Sequence, residues 1–380
     1  MNLSDLTRNS NMLQGSLTKR GYMRWWHSFS GTQPETGETR TFFVEIFVVN
    51  PGRGKEHPVL GWHPRTKKRG KKPSYVMVKA GVFPDKNGEG GRQLHSFYPI
   101  SALQATGTPL IMQLTGDGES PCQEGSCLYS EDMLKGFVHV TQEEARHRSF
   151  MANAGFMEWD VKVFKELSCH TGIKGGKFFQ TLRLFDSYWH GEGIRSYFKG
   201  SVTLDDVVYE VTPESSYGYA DKHWGRRFDR HWFQFACGCL ESERSEGELR
   251  HSVLALNSFS PRFLCFPLRR RFLLQLTYME EDFECTRCKW EAKETENRFI
   301  WHILAQNKEV VIKISGSCTK REMLSLRYES PDSKRAKSPL LAGSGGIGTL
   351  QFYRKTPEGR ELLDTLKLDK ALCIFRNSRK

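Results

Sequence analysis

Short apolar runs separated by turn residues follow one another along most of the chain. The clearest is residues 41–50, where β-branched and aromatic side chains predominate until Asn-Pro-Gly at 50–52 ends the run. With the ring-rich stretch 20–29 it predicts a hairpin with a long loop. Residues 142–151 carry charges but no sustained apolar stripe, which predicts a short turn rather than a core helix. Turn signals recur about every ten residues, so we predict an all-β antiparallel fold of barrels or sandwiches with few short helices.

A weak internal repeat divides the chain. Residues 25–29 and 231–235 each contain a tryptophan-led run that follows a glycine–aromatic pair and precedes a series of strands. Two similar β halves would give this pattern, and chance is the alternative. We predict a polar lead-in over residues 1–16 and two β domains over 17–212 and 213–380.

Composition indicates a folded protein rich in rings. Of 380 residues, 38% are hydrophobic and 26% are charged, so a packed core is expected rather than disorder. Nine Trp and 25 Phe favour strands and ring-lined cavities over helical bundles. Ten cysteines without a secretory leader favour free thiols over a disulfide framework, and no apolar run reaches the length of a membrane span. We therefore expect a soluble, cytoplasmic protein.

Part of the net charge of +12 lies in two basic clusters, at residues 67–72 and 269–271. Solvated loops are one interpretation, and contact with nucleic acid or an anionic membrane surface is the other. No nucleic-acid-binding module accompanies the charge, so we expect no nucleic-acid partner. Weak peripheral contact with anionic lipid headgroups remains compatible with an apolar ligand.

Three short motifs have the spacing of cofactor sites but not their surroundings. Residues 343–348 match G-x-G-x-x-G, yet a strand-like run follows them, which favours a bulge over a nucleotide-binding loop. Cys285 and Cys288 form a C-x-x-C, and Cys237 and Cys239 a C-x-C, but these spacings do not match a usual zinc site. We expect neither a metal nor an organic cofactor.

Two segments mix charges with aromatic rings, as ligand pockets do. In residues 221–225, with the sequence Asp-Lys-His-Trp-Gly, Asp221 or His223 can donate a proton and Trp224 can face a cation. The alternative is a linker with a buried tryptophan and an Asp–Lys salt bridge. Residues 189–195 contain an indole, an imidazole, a carboxyl and a guanidinium. They form either a pocket mouth or a strand end with a surface Glu–Arg pair.

The chain resembles the tocopherol cyclase family at residues 217–225, Tyr-Gly-Tyr-Ala-Asp-Lys-His-Trp-Gly, and at the Trp232 that follows. These positions are similar to the family's Tyr-x-x-Lys-Asn-Trp-Gly…Trp-x-Trp signature. Residues 21–29 are similar to the family's first strand, and residues 188–193 and 318–323 fit its bacterial-type members. The resemblance implies two lipocalin-like β-barrel domains, related in fold to carotenoid hydratases, that act on prenylated rings or polyenes without an organic cofactor.

A tocopherol cyclase closes a chromanol ring by protonating an alkene and capturing the cation with a phenol oxygen. This chemistry needs a strong acid in a dry, ring-lined cavity. On the basis of this resemblance, we expect Asp221 to be the proton donor and Glu192 to be the second candidate. His190 or His223 would orient the phenol or accept its proton. The expected substrate-binding residues are aromatic: Trp25, Trp26, Trp189, Tyr219, Trp224 and Trp232.

Two other functions stay open. One is a non-catalytic carrier of an isoprenoid or lipid in the same barrel, and the other is a hydratase or pericyclase acting on a polyene. All these functions predict a hydrophobic small molecule, a prenylated quinol or an isoprenoid, as the partner.

Overall fold

The computed structural model describes residues 10–53, 72–107, 110–115, 127–169, 187–227, 232–259, 262–263, 266–267, 271–328, 331 and 339–376. Strands form nearly all the regular structure in these ranges, arranged in antiparallel sheets, which confirms the predicted all-β fold. The basic residues 67–71 and 269–270, and most of the strand predicted near 178–189, lie outside the described residues.

The α-helix of the described chain is short and contributes nothing to a core. Helix α1 (Gln142–Arg146) begins after Thr141, whose hydroxyl accepts from the Glu144 backbone N–H, while the Glu144 side chain accepts from the Thr141 backbone N–H. None of its residues is buried. The segment is therefore a short surface helix rather than the predicted turn, and it is not a core helix, as the missing apolar stripe predicted.

The first antiparallel sheet contains twelve strands. They are β1 (Tyr22–Thr32), β2 (Thr39–Val49), β3 (Tyr75–Val82), β4 (Arg92–Tyr98), β5 (Leu103–Thr106), β6 (Ile111–Leu114), β7 (Cys127–Tyr129), β8 (Met133–Val140), β9 (Gly155–Cys169), β10 (Ser187–Leu204), β11 (Val207–Val211) and β12 (Gly218–Gly225). Their order is β4-β3-β2-β1-β11-β10-β9-β8-β7-β6-β5, and β12 pairs with both β1 and β10. Because β4 also lies against β8, the sheet curls back on itself.

Two burial patterns distinguish the strands of this sheet. Along most of β9, buried and exposed residues alternate, as they do when one face of a strand covers a core and the other faces solvent. In contrast, β1 and β12 are buried at nearly every position. One face of these strands lies inside the curled sheet, and the other packs against the second sheet. The continuous apolar run of β2 has the same cause, since it is buried from Phe42 onward.

The second antiparallel sheet also contains twelve strands, and a separate two-stranded pair accompanies it. The strands are β13 (Trp232–Cys237), β14 (Cys239–Ser242), β15 (Gly247–Glu248), β16 (Val253–Phe259), β17 (Arg262–Phe263), β18 (Phe266–Pro267), β19 (Arg271–Tyr278), β20 (Glu281–Cys285), β21 (Arg287–Glu294), β22 (Arg298–Gln306), β23 (Val310–Thr319), β24 (Leu324–Leu326), β25 (Leu340–Thr356) and β26 (Gly359–Arg376). The main order is β20-β19-β16-β13-β26-β25-β23-β22-β21, while β17 pairs with β18.

Hydrophobic side chains form three cores. One lies inside the first sheet and includes Trp25, and another lies inside the second sheet and includes Trp301. The third lies between the sheets and includes Trp26, Trp189 and Trp232. Trp25 and Trp26 belong to different cores because adjacent residues of a strand point to opposite faces. The central strands therefore separate two buried environments.

Strand pairing changes from the first sheet to the second between Gly225 and Trp232. The division predicted at residues 212 and 213 assigns β12 to the second half, whereas β12 pairs with β1 and β10 in the first sheet. The division into domains stays a prediction.

The glycine run at 343–348 lies within β25. The register of β25 against β26 shifts between Gly343 and Gly346 and again between Gly346 and Gly348. These shifts are the β-bulge predicted for the run. Among the described residues, the cysteines are free thiols and no cluster of three or more His, Cys, Asp or Glu is placed to hold a metal. None of the helices described has the length and apolar character needed to cross a membrane.

Candidate functional site

Strand β12 carries the segment that the sequence singles out, and its alternate side chains face two environments. Tyr219 and Asp221 point toward the second sheet, where both contact Gln234 of β13. Lys222 and Trp224 point into the first sheet. Residues 221–225 therefore belong to a buried strand, and the interpretation of this segment as a linker is wrong.

Asp221 is fully buried between the sheets and accepts hydrogen bonds from four side chains. Arg24 Nη2 lies 2.9 Å from Asp221 Oδ1. Trp189 Nε1 and Gln234 Nε2 each lie 2.9 Å from Oδ2, and the Tyr219 hydroxyl donates to the same oxygen at 2.7 Å. We refer to these five residues as the Asp221 cluster.

The Asp221 cluster has the partners of a carboxylate anion, because every neighbour contributes an N–H or O–H. Burial alone lowers the pKa of Arg24, but the Asp221 carboxylate beside it raises that pKa above the usual range. The Arg24 guanidinium also lies 5.1 Å from the ring centroid of Trp26 and 5.0 Å from that of Trp232. This geometry favours a fixed ion pair over the proton-donor role predicted for Asp221.

A cleft of ≈ 660 Å³ opens between the two sheets beside the Asp221 cluster. Its walls include side chains from both sheets: Ser28, Ile194, Tyr219, Ala236, Cys239 and Leu372. Tyr219 thus contacts the cleft and also the Asp221 carboxylate. Burial, together with the neighbouring carboxylate, raises the pKa of Tyr219 well above its usual value. The Tyr219 hydroxyl is therefore protonated at neutral pH.

His223 lies on the same face of β12 as Asp221 and packs against the second sheet. Its ring stacks on Trp232 with centroids 4.0 Å apart, and its Nδ1 lies 2.7 Å from the Tyr22 hydroxyl. Burial, and then the positive charge of Arg24, lower the pKa of His223 well below its usual value. His223 is a neutral imidazole, held in place by stacking on Trp232 and by the hydrogen bond with Tyr22.

Glu192 lies on the other side of these strands, inside the first sheet. Lys165 Nζ is 2.9 Å from Glu192 Oε2, and the Tyr129 hydroxyl donates to the same oxygen at 3.2 Å. Lys165 also pairs with Glu131 at 3.0 Å. Burial raises the pKa of Glu192, but the charges of Lys165 and Lys222 outweigh burial and lower it to about 2. Glu192 is therefore a carboxylate and not a neutral acid.

All ten predicted site residues are buried, but the structure divides them between the two faces. The space between the sheets holds Trp26, Trp189, Tyr219, Asp221, His223 and Trp232. The interior of the first sheet holds Trp25, His190, Glu192 and Trp224. The two candidate acids do not share a pocket.

Two ion pairs considered from the sequence are wrong. Asp221 pairs with Arg24 and not with Lys222, because adjacent residues of β12 face opposite sides. Arg195 pairs with Glu248 at 2.6 Å and with Glu166 at 3.1 Å, while Glu192 pairs with Lys165.

Sequence reasoning missed Arg24 and Gln234, although both hold Asp221 in place. Arg24 lies in the ring-rich stretch of β1, two residues before Trp26 on the same face. Gln234 lies two residues after Trp232 in an otherwise apolar strand. A polar residue inside an apolar strand needs a buried partner, and this was the signal available in the sequence.

No protein-family model matches the chain, and no curated protein matches its sequence. Similarity is found only among solved structures. Kievitone hydratase from Nectria haematococca is 11% identical, with a TM-score of 0.47 over 97% of this chain and 95% of that one. A protein of Nitrosomonas europaea described as an AttH is 10% identical, with a TM-score of 0.41 over 92% of each chain. Neither similarity identifies an activity for this chain, and the resemblance to tocopherol cyclases stays a prediction.

Proposed function

We propose that the protein is an enzyme that adds an O–H bond across a carbon–carbon double bond of an apolar, phenol-bearing molecule in the cleft between the sheets. The observation that supports this proposal is the position of Tyr219, which contacts both the cleft and the Asp221 carboxylate. A hydroxyl held by a buried carboxylate can pass a proton between that carboxylate and a bound ligand. Closure of an oxygen ring and addition of water are two forms of this reaction.

The acid strength of Asp221, Tyr219 and Glu192 determines which kind of carbon–carbon double bond the site can react with. An isolated alkene needs a strong, neutral acid, whereas Asp221 has the partners of an anion and the pKa of Tyr219 is raised. Glu192, with a pKa of about 2, is an anion on the other face. Closure of a chromanol ring on an unactivated prenyl chain, which the sequence resemblance implies, is therefore the less favoured form.

A double bond conjugated to a carbonyl group suits the site better. Asp221, acting through the Tyr219 hydroxyl, removes the proton from the phenol or water, and the oxygen then bonds to the far carbon of the double bond. The resulting enolate takes a proton from Tyr219 at the carbon beside the carbonyl, and Asp221 returns its proton to Tyr219. One O–H bond and the π bond of the carbon–carbon double bond break, and one C–O and one C–H bond form, so no further reactant is consumed.

The test uses 2′-hydroxychalcone and a prenylated hydroquinone as substrates, with mass spectrometry of the products. Ring closure changes the chromatographic retention without changing the mass, and hydration adds one water. We expect the protein to convert the chalcone. The rate of conversion should fall about 10²- to 10⁴-fold in the Tyr219→Phe and Asp221→Asn variants. Tyr353→Phe, which removes a hydroxyl in β25 that does not line the cleft, is the matched control and retains activity. Full activity in Tyr219→Phe overturns the proposal.

A non-catalytic carrier is the second candidate, and the complete set of donors on Asp221 favours it. A carboxylate that accepts from four side chains holds two sheets together without any role in chemistry. A carrier retains the prenylated hydroquinone or the chalcone through gel filtration and returns it unchanged after long incubation. Conversion of either compound above the rate in buffer excludes this alternative.

A further inference from the structure

A second polar site lies inside the first sheet, separate from the cleft. The centroids of the Trp25 and His27 rings lie 6.0 and 5.4 Å from that of the Tyr129 ring. The Tyr129 hydroxyl donates to Glu192 Oε2, and Lys165 Nζ binds the same oxygen. We refer to these five residues as the Tyr129 site.

Three buried atoms of the Tyr129 site have no hydrogen-bond partner within the described part of the chain. They are Trp25 Nε1, His27 Nε2 and Glu192 Oε1. Buried polar groups in native proteins nearly always have partners, and an unpaired carboxylate oxygen is especially costly. An orphaned donor and an orphaned carboxylate oxygen in one ring-lined cluster indicate that a further molecule supplies the missing partners.

The charges around the Tyr129 site favour a neutral occupant. Lys165 lies between Glu192 and Glu131, so one ammonium group contacts two carboxylates. The second ammonium nearby is that of Lys222, which donates to the Ser10 carbonyl at 3.1 Å. Among the described residues, these two positive groups and two negative groups balance one another, which favours a neutral ligand.

His27 contributes a neutral ring rather than a charge. Burial, and then the positive charge of Lys165, lower the pKa of His27 to about 3. Its edge lies against Phe198, with ring centroids 6.4 Å apart. The surroundings of the orphaned atoms are thus aromatic, and they suit a ring more than an aliphatic chain.

We infer that the Tyr129 site binds a small, neutral, hydroxylated aromatic molecule. Its hydroxyl hydrogen is donated to Glu192 Oε1, and its hydroxyl oxygen accepts from Trp25 Nε1. Its ring packs among the rings of Tyr129 and His27. The inference does not depend on the function proposed for the cleft, because it concerns atoms on the opposite face of β12.

The test compares two probes that differ only in a hydroxyl group, 4-methylphenol and toluene, by isothermal titration calorimetry. The unmodified protein is expected to bind 4-methylphenol at one site, about tenfold or more tighter than toluene. Trp25→Phe keeps an aromatic ring and removes the N–H, so it weakens 4-methylphenol binding about tenfold and leaves toluene binding unchanged. Glu192→Gln weakens 4-methylphenol binding as well.

The matched control is Tyr219→Phe, which removes a hydroxyl at the cleft. This variant is expected to bind 4-methylphenol as the unmodified protein does. If Tyr219→Phe binds 4-methylphenol more weakly, the probe lies in the cleft and the inference is overturned. If no heat of binding is measured, water alone supplies the hydrogen-bond partners of the unpaired atoms. This result also overturns the inference. If Glu192→Gln does not fold, equal affinities of the unmodified protein and Trp25→Phe are still sufficient to reject the site.

Discussion

The Arg24–Asp221 pair shows how single residues fix the geometry between the sheets. Both side chains are fully buried, and removing two such charges from water costs several kcal/mol per ion. This cost is offset only when each charged group is closely paired. The Asp221 carboxylate is paired in this way, because it accepts hydrogen bonds from four side chains. The pair therefore restricts how the sheets pack more than it stabilises them.

Asp221→Ala is expected to destabilise the fold by about 3–5 kcal/mol, because Arg24 is left as a buried, unpaired charge. The matched control is Lys135→Met, which breaks an ion pair with Asp160 at 2.6 Å in which both side chains are more than half exposed. That change should have no measurable effect. Urea denaturation followed by circular dichroism measures the free energy of unfolding of both variants. Equal losses would contradict the argument that burial makes the Arg24–Asp221 pair costly to break.

Sequence patterns identified Asp221 as important but gave it the wrong partner. Its true partner, Arg24, is 197 residues away in the chain, and no local spacing connects the two. Lys222, the neighbour in sequence, faces the other side of the strand. Local patterns report which residue types are present, whereas the partner of a buried charge depends on which strands become neighbours.

The strand with the clearest apolar run was predictable as an element, and so was the ring-rich first strand, whereas β12 was not. The run at residues 41–50 became β2 (Thr39–Val49), and the glycine run became a bulge in β25. In contrast, β12 carries the adjacent charges of Asp221 and Lys222 and was interpreted as a pocket segment or a linker. Such a strand forms because partners from other strands meet its charged groups, and these partners are absent from its own sequence.

Gly346 in the bulge of β25 is expected to tolerate no side chain. A Cβ there would lie 2.5 Å from Cys373 Sγ and 2.7 Å from the Ala371 carbonyl oxygen. Gly346→Ala should therefore destabilise the protein by about 1–3 kcal/mol through overpacking. At Gly247 the nearest atom would lie 3.8 Å away, so Gly247→Ala is the matched control. Thermal unfolding of the two variants distinguishes them, and an unchanged midpoint for Gly346→Ala would refute the steric argument.

Three cores and the polar contacts between the sheets give the whole molecule its architecture. Gln93 Nε2 of the first sheet donates to the Ser325 carbonyl at 2.7 Å, and Asn50 Nδ2 donates to the Pro331 carbonyl at 2.9 Å. The sequence predicted the all-β class, and the structure buries every candidate site residue. It did not predict the division of those residues between two faces, because that depends on which sheet covers which side of β1 and β12.

Acid is expected to destabilise the whole fold in two steps. The pKa of His27 is lowered from 6.5 to about 3 by burial and then by Lys165, so the unfolded chain binds more protons and stability falls as the pH drops from 6.5 to 3. The charges of Lys165 and Lys222 outweigh burial and lower the pKa of Glu192 from 4.5 to about 2. Glu192 therefore contributes stability above pH 4.5 that is lost as the pH falls through 2.

Urea midpoints measured from pH 7 to pH 2 check this profile. In His27→Gln the urea midpoint should change less between pH 6.5 and 3 than in the unmodified protein. His302→Gln, at an exposed position of β22, should leave the pH dependence unchanged. A profile that remains equally steep in His27→Gln would mean that other groups cause the acid sensitivity.

Because β12 is covered on both sides, its alignment with β1 and β10 tolerates no error. A slip by a single position would exchange Asp221 with Lys222, so that an ammonium group would meet the Arg24 guanidinium and a carboxylate would join Glu192. Insertion or deletion of one residue within this strand should therefore abolish folding, even where the same change at a solvent-facing edge is harmless.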